Sequence, residues 1–256
     1  NRGSVDDVIT KLNSAARLNK YEDAYLRNLS GAVSAKFAAE VSTQVPQEKA
    51  SYVQSLINDM IAIAKAAADL NPANSANWVN LGSTYRSLVP YVQGAGDAAK
   101  QSQEKVVELA ASNPLSHIDL AMTHIAIADL NQSLTQSEDE KTAAEAKTVV
   151  ADNLAKAEEL LNKAIELKQD YAPAHYQLGL VYDRQGKLAE AIKKMEQVAA
   201  ANSNDVGVAF QLGLLYLRNN ENDKAQNALE YAVKLVPSYS NARWFLATVY
   251  ENKQDI

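Results

Sequence analysis

The chain has 256 residues, of which 47% are apolar and 22% are charged, and its formal net charge is −6 at pH 7. This acidic balance excludes the basic surface that binds a phosphate backbone, so no nucleic acid is expected as a partner. The sequence has no cysteine, which excludes disulfides and thiolate metal sites, and it has no apolar run of the roughly 18 residues that a membrane span needs.

The first predicted element is an amphipathic helix within residues 1–22. Ser4 followed by Asp6 and Asp7 is typical of a helix start, because a hydroxyl caps the first amides and carboxylates stabilise the positive end of the helix. Apolar residues follow at helical spacing. They are Val5, Val8, Ile9, Leu12, Ala15 and Ala16.

Further along the chain, one pattern recurs with a fixed period. The stretch "WVNLGSTY", residues 78–85, follows the pattern W-x2-L-G-x2-Y. Its leucine, small residue and tyrosine recur further on as Leu178, Gly179 and Tyr182. From there they return twice at intervals of 34 residues, as Leu212, Gly213 and Tyr216 and as Leu246, Ala247 and Tyr250. A leucine and a tyrosine four residues apart share one helix face, and the small residue beside them allows a second helix to approach. Each period therefore predicts a pair of packed helices.

These motifs resemble those of the tetratricopeptide repeat family, which has this pattern and this period, and the resemblance covers nearly all of the chain. It implies an all-α fold, a single α-solenoid over residues 1–256 with a right-handed superhelix. We call the first helix of each repeat its A helix and the second its B helix. The repeat positions predict an unpaired B helix at 1–22, repeats near 23–74, 75–113, 114–171, 172–205 and 206–239, and an unpaired A helix at 240–256.

Three of these units are longer than the period requires. Extra residues lie around "VSTQVPQEKASYVQ" in the first unit, "SLVPYVQGAGDAA" in the second and "NQSLTQSEDEKTAAEAKTVVADN" in the third. We interpret the "SEDEK" run as a solvated turn. The longest insert is predicted to extend both of its helices into a protruding hairpin.

Residues 71–114 also resemble large tetratricopeptide proteins of some bacteria, including candidate-phylum lineages, on "NPANSANWVNLGSTYRSLVPYVQGAGDAA". In those proteins a multi-span membrane region precedes the repeats. The resemblance implies an extracellular or cell-surface location. The first residue is Asn1, which favours a processed or excerpted chain, and a cytoplasmic location stays the alternative.

No catalytic chemistry is predicted. The phosphate-binding, nucleophile and metalloprotease motifs are absent, so we expect no enzyme activity and no cofactor. His117 and His124 lie seven residues apart, but they occupy the repeat positions of Trp78 and Tyr85. We interpret them, and His175 at the first of these positions, as packing residues and expect no metal site.

The A helices predict a groove for a protein or peptide ligand. Its candidate residues are aromatic or aliphatic, which does not support the carboxylate clamp of the chaperone-adaptor tetratricopeptide proteins but suits an apolar peptide or helix. In the alternative, these residues pack between neighbouring A helices. The candidates are Val79, Ile118, Met122, Tyr176, Leu180, Phe210, Leu214 and Trp244.

The unpaired A and B helices complement each other, which predicts head-to-tail association between copies of the chain into a filament or open oligomer. In the competing interpretation, the chain is a fragment of a longer array. The residues expected at the self-association interface are Val5, Val8, Ile9, Leu12, Ala15, Trp244, Phe245, Leu246, Val249 and Tyr250.

Two N-x-S/T sequons begin at Asn28 and Asn131. They are candidate glycosylation sites, and use of either would imply export. Asn131 is predicted to lie in the longest insert, between its helices.

Overall fold

Short polar side chains cap the beginnings of many helices. The structure is a computed structural model that describes residues 4–42 and 46–254. In it, the side chains of Ser4, Asn74, Asn113, Asp139 and Asp205 each accept a hydrogen bond from a backbone amide of the first turn. Such caps satisfy amides that have no partner inside the helix.

The described residues form twelve α-helices and no strand. The helices are α1 (Val5–Leu18), α2 (Asp23–Val41), α3 (Ala50–Leu70), α4 (Ser75–Ser87), α5 (Ala95–Leu109), α6 (Pro114–Gln132), α7 (Glu140–Leu167), α8 (Ala172–Arg184), α9 (Leu188–Ala201), α10 (Val206–Arg218), α11 (Asn222–Leu235) and α12 (Ser240–Gln254). Short 3-10 turns occur at Gln47–Lys49 and Ser133–Gln136. Within these ranges, no helix combines the length and the apolar character that crossing a membrane would require.

The helices stack in chain order. The most extensive contacts join α2 to α3, α4 to α5, α6 to α7, α8 to α9 and α10 to α11. Each of these pairs also packs against the next, while α1 packs on α2 and α12 packs on α11. No pair buries its apolar face alone, so the core is continuous only because neighbours stack. The prediction of an all-α tetratricopeptide-type solenoid is confirmed.

Small residues allow the paired helices to approach closely. A Cβ added to Gly213 on α10 would lie 2.6 Å from the side chain of Leu229 on α11, and one added to Gly179 on α8 would lie 3.1 Å from Met195 on α9. Real Cβ contacts are longer than the first of these distances. The small residue of the repeat pattern is therefore required by helix packing.

The longest insert lengthens both of its helices, as predicted. α6 has 19 residues and α7 has 28, compared with 13 and 14 in α8 and α9. The "SEDEK" run begins in the turn before α7, and Asp139 within it caps that helix. Asn131, the first residue of this insert, lies in the last turn of α6, because the helix continues to Gln132.

The other two inserts differ from each other. In the second unit, Leu88 is fully buried, so the start of the insert belongs to the core. Gly94, within the insert, precedes the first residue of α5 and has φ 78°, a left-handed conformation that glycine adopts without steric cost. In the first unit, the predicted extra residues include 43–45, which lie outside the described residues.

Candidate interaction surfaces

The predicted packing positions of α12 are open to solvent. Tyr250 is 41% exposed, whereas Tyr216, at the same repeat position on α10, is 7% exposed. Ala247 is exposed and Leu246 is half-buried, but the corresponding leucine and glycine of α10 are buried. The difference arises because α11 covers this face of α10, and no described helix covers it on α12.

Tyr250 is held in place on this open face. Its hydroxyl donates a 2.7 Å hydrogen bond to Glu230 Oε1 on α11. One unit earlier, the Tyr216 hydroxyl donates a 2.7 Å hydrogen bond to Glu196 Oε1, and burial together with Glu196 raises the pKa of Tyr216. The ring of Tyr250 is therefore oriented before anything contacts it.

Aromatic rings continue from α10 onto α12. The ring of Phe210 lies 5.0 Å from that of Tyr239 and 5.8 Å from that of Phe245, and Trp244 packs edge-on against Phe245 at 4.7 Å. Trp244 is nonetheless 65% exposed. Phe245 is half-buried against the core, so of these rings Trp244 has the largest free surface.

Val249 differs from the expectation that it lies at a free interface. It is fully buried in the core that α12 shares with α10 and α11. Val249 is one residue away from Tyr250, and one residue turns a helix by about 100°, so its side chain points towards the chain's own core. It is not accessible to a second copy.

The first helix, α1, has a complementary open face. Ser4 and Asp7 form a reciprocal capping box at its start. Val5 and Val8 are exposed, and Val8 at 42% contrasts with Ala225, which occupies the same repeat position on α11 and is fully buried. The contrast indicates that this face of α1 has the character of a B helix without an A helix against it.

The remaining α1 residues of the predicted interface are partly covered by the chain's own core and partly open. Ile9 and Leu12 are half-buried against the core formed by α2 and α3, and Ala15 is also half-buried. The packing of α1 on α2 accounts for this partial burial. Part of each side chain stays free to meet another helix.

The predicted groove residues do not form a continuous accessible row. Ile118 and Phe210 are buried, which differs from the expectation that they are open to a ligand. The rings of Tyr239 and Phe245 lie against Phe210. The alternative of packing between A helices applies to these two. The half-buried members are Val79, Met122, Tyr176, Leu180 and Leu214, and the exposed member is Trp244.

Arginines at the ends of A helices form ion pairs with neighbouring A helices, which the sequence-based reasoning did not predict. Arg184 on α8 donates two hydrogen bonds to the carboxylate of Asp129 on α6, at 2.7 and 2.9 Å, and these raise the pKa of Arg184. Arg218 on α10 pairs with Asp183 on α8. The recurrence of arginine one or two residues after the repeat tyrosine was the available signal. These cations are neutralised within the chain.

A second arginine–aspartate pair, Arg86 and Asp119, is more deeply buried. Arg86 on α4 donates a 2.9 Å hydrogen bond to the backbone oxygen of Asp119 on α6 and lies 3.8 Å from its carboxylate. Burial lowers the pKa of Arg86 and raises that of Asp119. The pair therefore joins two A helices at the cost of desolvating both charges.

The histidines have structural partners. Nε2 of His117 lies 2.9 Å from the carbonyl oxygen of Ala111, and Nε2 of His175 lies 2.6 Å from that of Gln169. Trp78, at the same repeat position, donates a 2.8 Å hydrogen bond to a carbonyl six residues earlier in the same way. The position thus selects a ring N–H donor, which fits the interpretation of packing residues.

His124 makes a different contact. Its Nδ1 lies 2.8 Å from Asn153 Oδ1 on α7, and burial lowers the pKa of its ring. Over residues 4–42 and 46–254, no group of three or more histidine, cysteine, aspartate or glutamate side chains is arranged to hold a metal ion.

Both sequons lie within helices. Asn28 is exposed on α2, but Ser30 of the same sequon is fully buried and lies 3.4 Å from Thr84 Oγ1. The side-chain amide of Asn131 donates a 2.8 Å hydrogen bond to the carbonyl oxygen of Ile127. Glycosylation at either position stays a prediction.

Family models of the tetratricopeptide repeat match residues 172–205 and 210–256. The second match includes α12, so the open helix is recognised as part of a repeat. No curated protein sequence matches the chain.

Solved structures share the fold. A thermophilic TPR protein of Thermus thermophilus is 21% identical over 78% of this chain and 93% of its own, with a TM-score of 0.58. MamA is 21% identical over 75% of this chain and 96% of its own, with a TM-score of 0.51. Pseudomonas aeruginosa PilF is 14% identical over 91% of this chain and 87% of its own, with a TM-score of 0.54.

Proposed function

We propose that copies of this chain associate head to tail, on the basis of its tetratricopeptide-type fold, which serves as a protein-interaction scaffold. In this proposal, α12 of one copy and α1 of the next form the two helices of one repeat. We call this contact the joint. The function requires no catalytic group and no cofactor.

One observation carries the proposal: the same repeat positions are buried in complete units and open on these two helices. Tyr250 and Val8 are each about two-fifths exposed, whereas their counterparts Tyr216 and Ala225 are 7% and 0% exposed. Among the described residues, no B helix covers that face of α12 and no A helix covers that face of α1. A second copy supplies both at once.

The joint is heterologous, since two different surfaces meet. An α-solenoid extends along its stacking direction, and a heterologous contact that does not close into a ring produces an open chain of subunits. We therefore expect a series of oligomers that lengthens with concentration.

The expected affinity is modest. Fully burying a side chain such as valine or leucine contributes about 1.5–3 kcal/mol, and few side chains are open here. Association itself costs roughly 4–15 kcal/mol. A micromolar or weaker joint is therefore expected, and the measurement has to extend to several hundred micromolar.

The test is analytical ultracentrifugation of the chain across that range. We expect the average mass to rise with concentration, and Ala247→Glu or Val8→Glu to prevent the rise, because each places a charge on an open face of the joint. Ala155→Glu, at an exposed position on α7, is the matched control and should associate normally.

A mixture of the two blocked variants gives the sharper result. The Ala247→Glu copy keeps an intact α1 and the Val8→Glu copy keeps an intact α12, so together they should form a 1:1 dimer that cannot lengthen. A chain that stays monomeric at all concentrations would contradict the proposal. That result would favour the alternative, in which the face of α12 is covered by a further helix of a longer array.

The second candidate function is binding of an apolar peptide along the A helices. Apolar side chains that are at least partly open favour it: Trp244 is 65% exposed, and Tyr176, Leu180 and Leu214 are half-buried. Arg184 and Arg218 are already paired with acidic residues of the chain, so an apolar ligand fits better than an acidic one. A peptide array probed with the Ala247→Glu variant tests it. Adding Tyr176→Ala to the probe should abolish peptide binding. The single variant Tyr176→Ala should still self-associate, and these two results together would support a separate peptide site.

A further inference from the structure

We propose that the joint has a fixed register in which Leu12 of one copy packs directly against Ala247 of its neighbour. This inference rests on the proposed head-to-tail association. It names the residue pair at the centre of the contact.

The pairing follows from a contact that recurs within the chain. A small residue on the A helix meets a long side chain on the B helix, as Gly213 meets Leu229 and Gly179 meets Met195. In the second unit, a Cβ added to Gly82 would lie 2.5 Å from Gln103 Nε2. The second unit, which has an insert, and the fourth and fifth units, which have none, therefore make the same contact.

The positions of these residues relative to the helix starts are constant. Gly82, Gly179 and Gly213 each lie seven residues after the first residue of their A helix, and Ala247 lies seven residues after Ser240. Ala247 is therefore the small residue of α12, and it is exposed.

The long side chain is placed by the helix that follows it. Gln103, Met195 and Leu229 each lie 11 residues before the next A helix begins, at Pro114, Val206 and Ser240. Leu12 lies 11 residues before Asp23, where α2 begins. Leu12 is half-buried whereas Leu229 is fully buried, so the side of Leu12 that α2 and α3 leave open is the side that an A helix would cover.

The pairing restricts which side chains residue 247 can have. Alanine carries one methyl group more than the glycines of the complete units, so the two helices of the joint should lie slightly farther apart than α10 and α11. A still larger side chain would separate them completely. Ala247 is exposed in a single copy. Substitutions there should consequently change association without changing the folding of the monomer.

Cysteine cross-linking tests the register without interference, because the chain has no cysteine of its own. Leu12→Cys and Ala247→Cys are made as two separate single variants, mixed and oxidised mildly. A disulfide needs Cβ atoms about 3.5–4.5 Å apart, so the mixture should give a disulfide-linked dimer. Lys11→Cys, at an exposed position one residue away, should cross-link to Ala247→Cys at least about tenfold less, since it is turned by about 100°.

The two proposals fail in different ways. If ultracentrifugation shows association of the unmodified chain but Lys11→Cys cross-links better than Leu12→Cys, the register is wrong and head-to-tail association stands. If the unmodified chain does not associate, the proposed function fails first.

A second pair of variants avoids any change to α1. Ala247→Ser should retain association and Ala247→Leu should abolish it, with circular dichroism confirming that both are folded. Association of Ala247→Leu at the level of the unmodified chain would overturn the register.

Discussion

Gln103 on α5 packs against Gly82 on α4 so closely that a Cβ on the glycine would lie 2.5 Å from Gln103 Nε2. Leu229 makes the same contact with Gly213 three units later. Gln103 is fully buried, and among the described residues neither its Nε2 nor its Oε1 has a hydrogen-bond partner. A polar amide thus occupies a position that suits an apolar side chain.

Replacing Gln103 by leucine should stabilise the protein. An unpaired buried polar group costs about 1–3 kcal/mol, and leucine fits opposite glycine elsewhere in the chain. We expect the thermal midpoint to rise by several degrees in a melt followed by circular dichroism. The control Gln101→Leu, on the exposed side of α5, should change little. An unchanged or lower midpoint for Gln103→Leu would show that the amide is satisfied in solution.

Gly213→Ala should destabilise the protein by about 1–3 kcal/mol, the usual cost of overpacking a core. The added methyl group would lie 2.6 Å from Leu229. Gly31→Ala is the matched control, because Gly31 is also within a helix and has nothing within 4 Å of an added Cβ. It should be neutral or stabilising by up to about 1 kcal/mol, since alanine favours helix. Urea unfolding compares the two, and equal effects would argue against the close helix contact.

Asp23 should make the stability of the first helix pairs sensitive to acid. Its carboxylate accepts hydrogen bonds from Asn74 Nδ2 at 2.9 Å and Asn77 Nδ2 at 2.8 Å and lies 3.0 Å from Arg27. Burial alone would raise the pKa of Asp23, but these hydrogen bonds and the arginine lower it overall. Its stabilising effect is therefore present above the unfolded pKa, about 3.9, and is lost as the pH falls through the lower folded pKa.

Asp23→Asn tests this dependence. At pH 7 the substitution should reduce the free energy of unfolding by about 1–3 kcal/mol, because hydrogen bonds to a charged group are lost. The difference in the free energy of unfolding between wild type and Asp23→Asn should become smaller below about pH 4, because the wild-type carboxylate becomes protonated. Urea midpoints across pH 2–7 give the comparison, with the exposed Asp152→Asn as control. If the difference in the free energy of unfolding did not change with pH, the effect would come from the shape of the side chain and not from its charge.

The fluorescence of Trp244 should report the joint. The chain has two tryptophans, so Trp78→Phe leaves Trp244 as the single emitter. Phe210, at the same repeat position, is covered by Tyr239 and Phe245 of the next unit, and in the joint the start of α2 would cover Trp244 in the same way. Emission should shift to shorter wavelength as association proceeds. Association without any shift would place Trp244 outside the contact.

The tetratricopeptide fold was predictable because its signals are local. The Leu-Gly-Tyr pattern recurs at a spacing that the helix geometry itself requires, and caps such as Asn113 and Asp205 lie next to the helices they begin. The importance of Gly179 and Gly213 was also readable, since each meets a side chain of the helix that follows it.

Which side chains are exposed to solvent could not be predicted in this way. Ile118 and Phe210 were expected in a groove and are buried, and Val249 was expected at a free interface and is buried. Each is covered by side chains from other helices, whose placement depends on the angle at which the units stack. A repeat pattern gives the position of a residue within its unit but not that angle.

The sequence by itself thus determined the fold class, the helix pairing and the positions that need small residues, because these depend on contacts between chain neighbours. Only the tertiary structure decided which surfaces stay open and which charges are already paired. Arg184 and Asp129 are 55 residues apart and meet because α6 and α8 stack. The recurring arginine marks one partner of such a contact, but its acidic partner is set by how the units stack. These contacts determine what remains for a partner to bind.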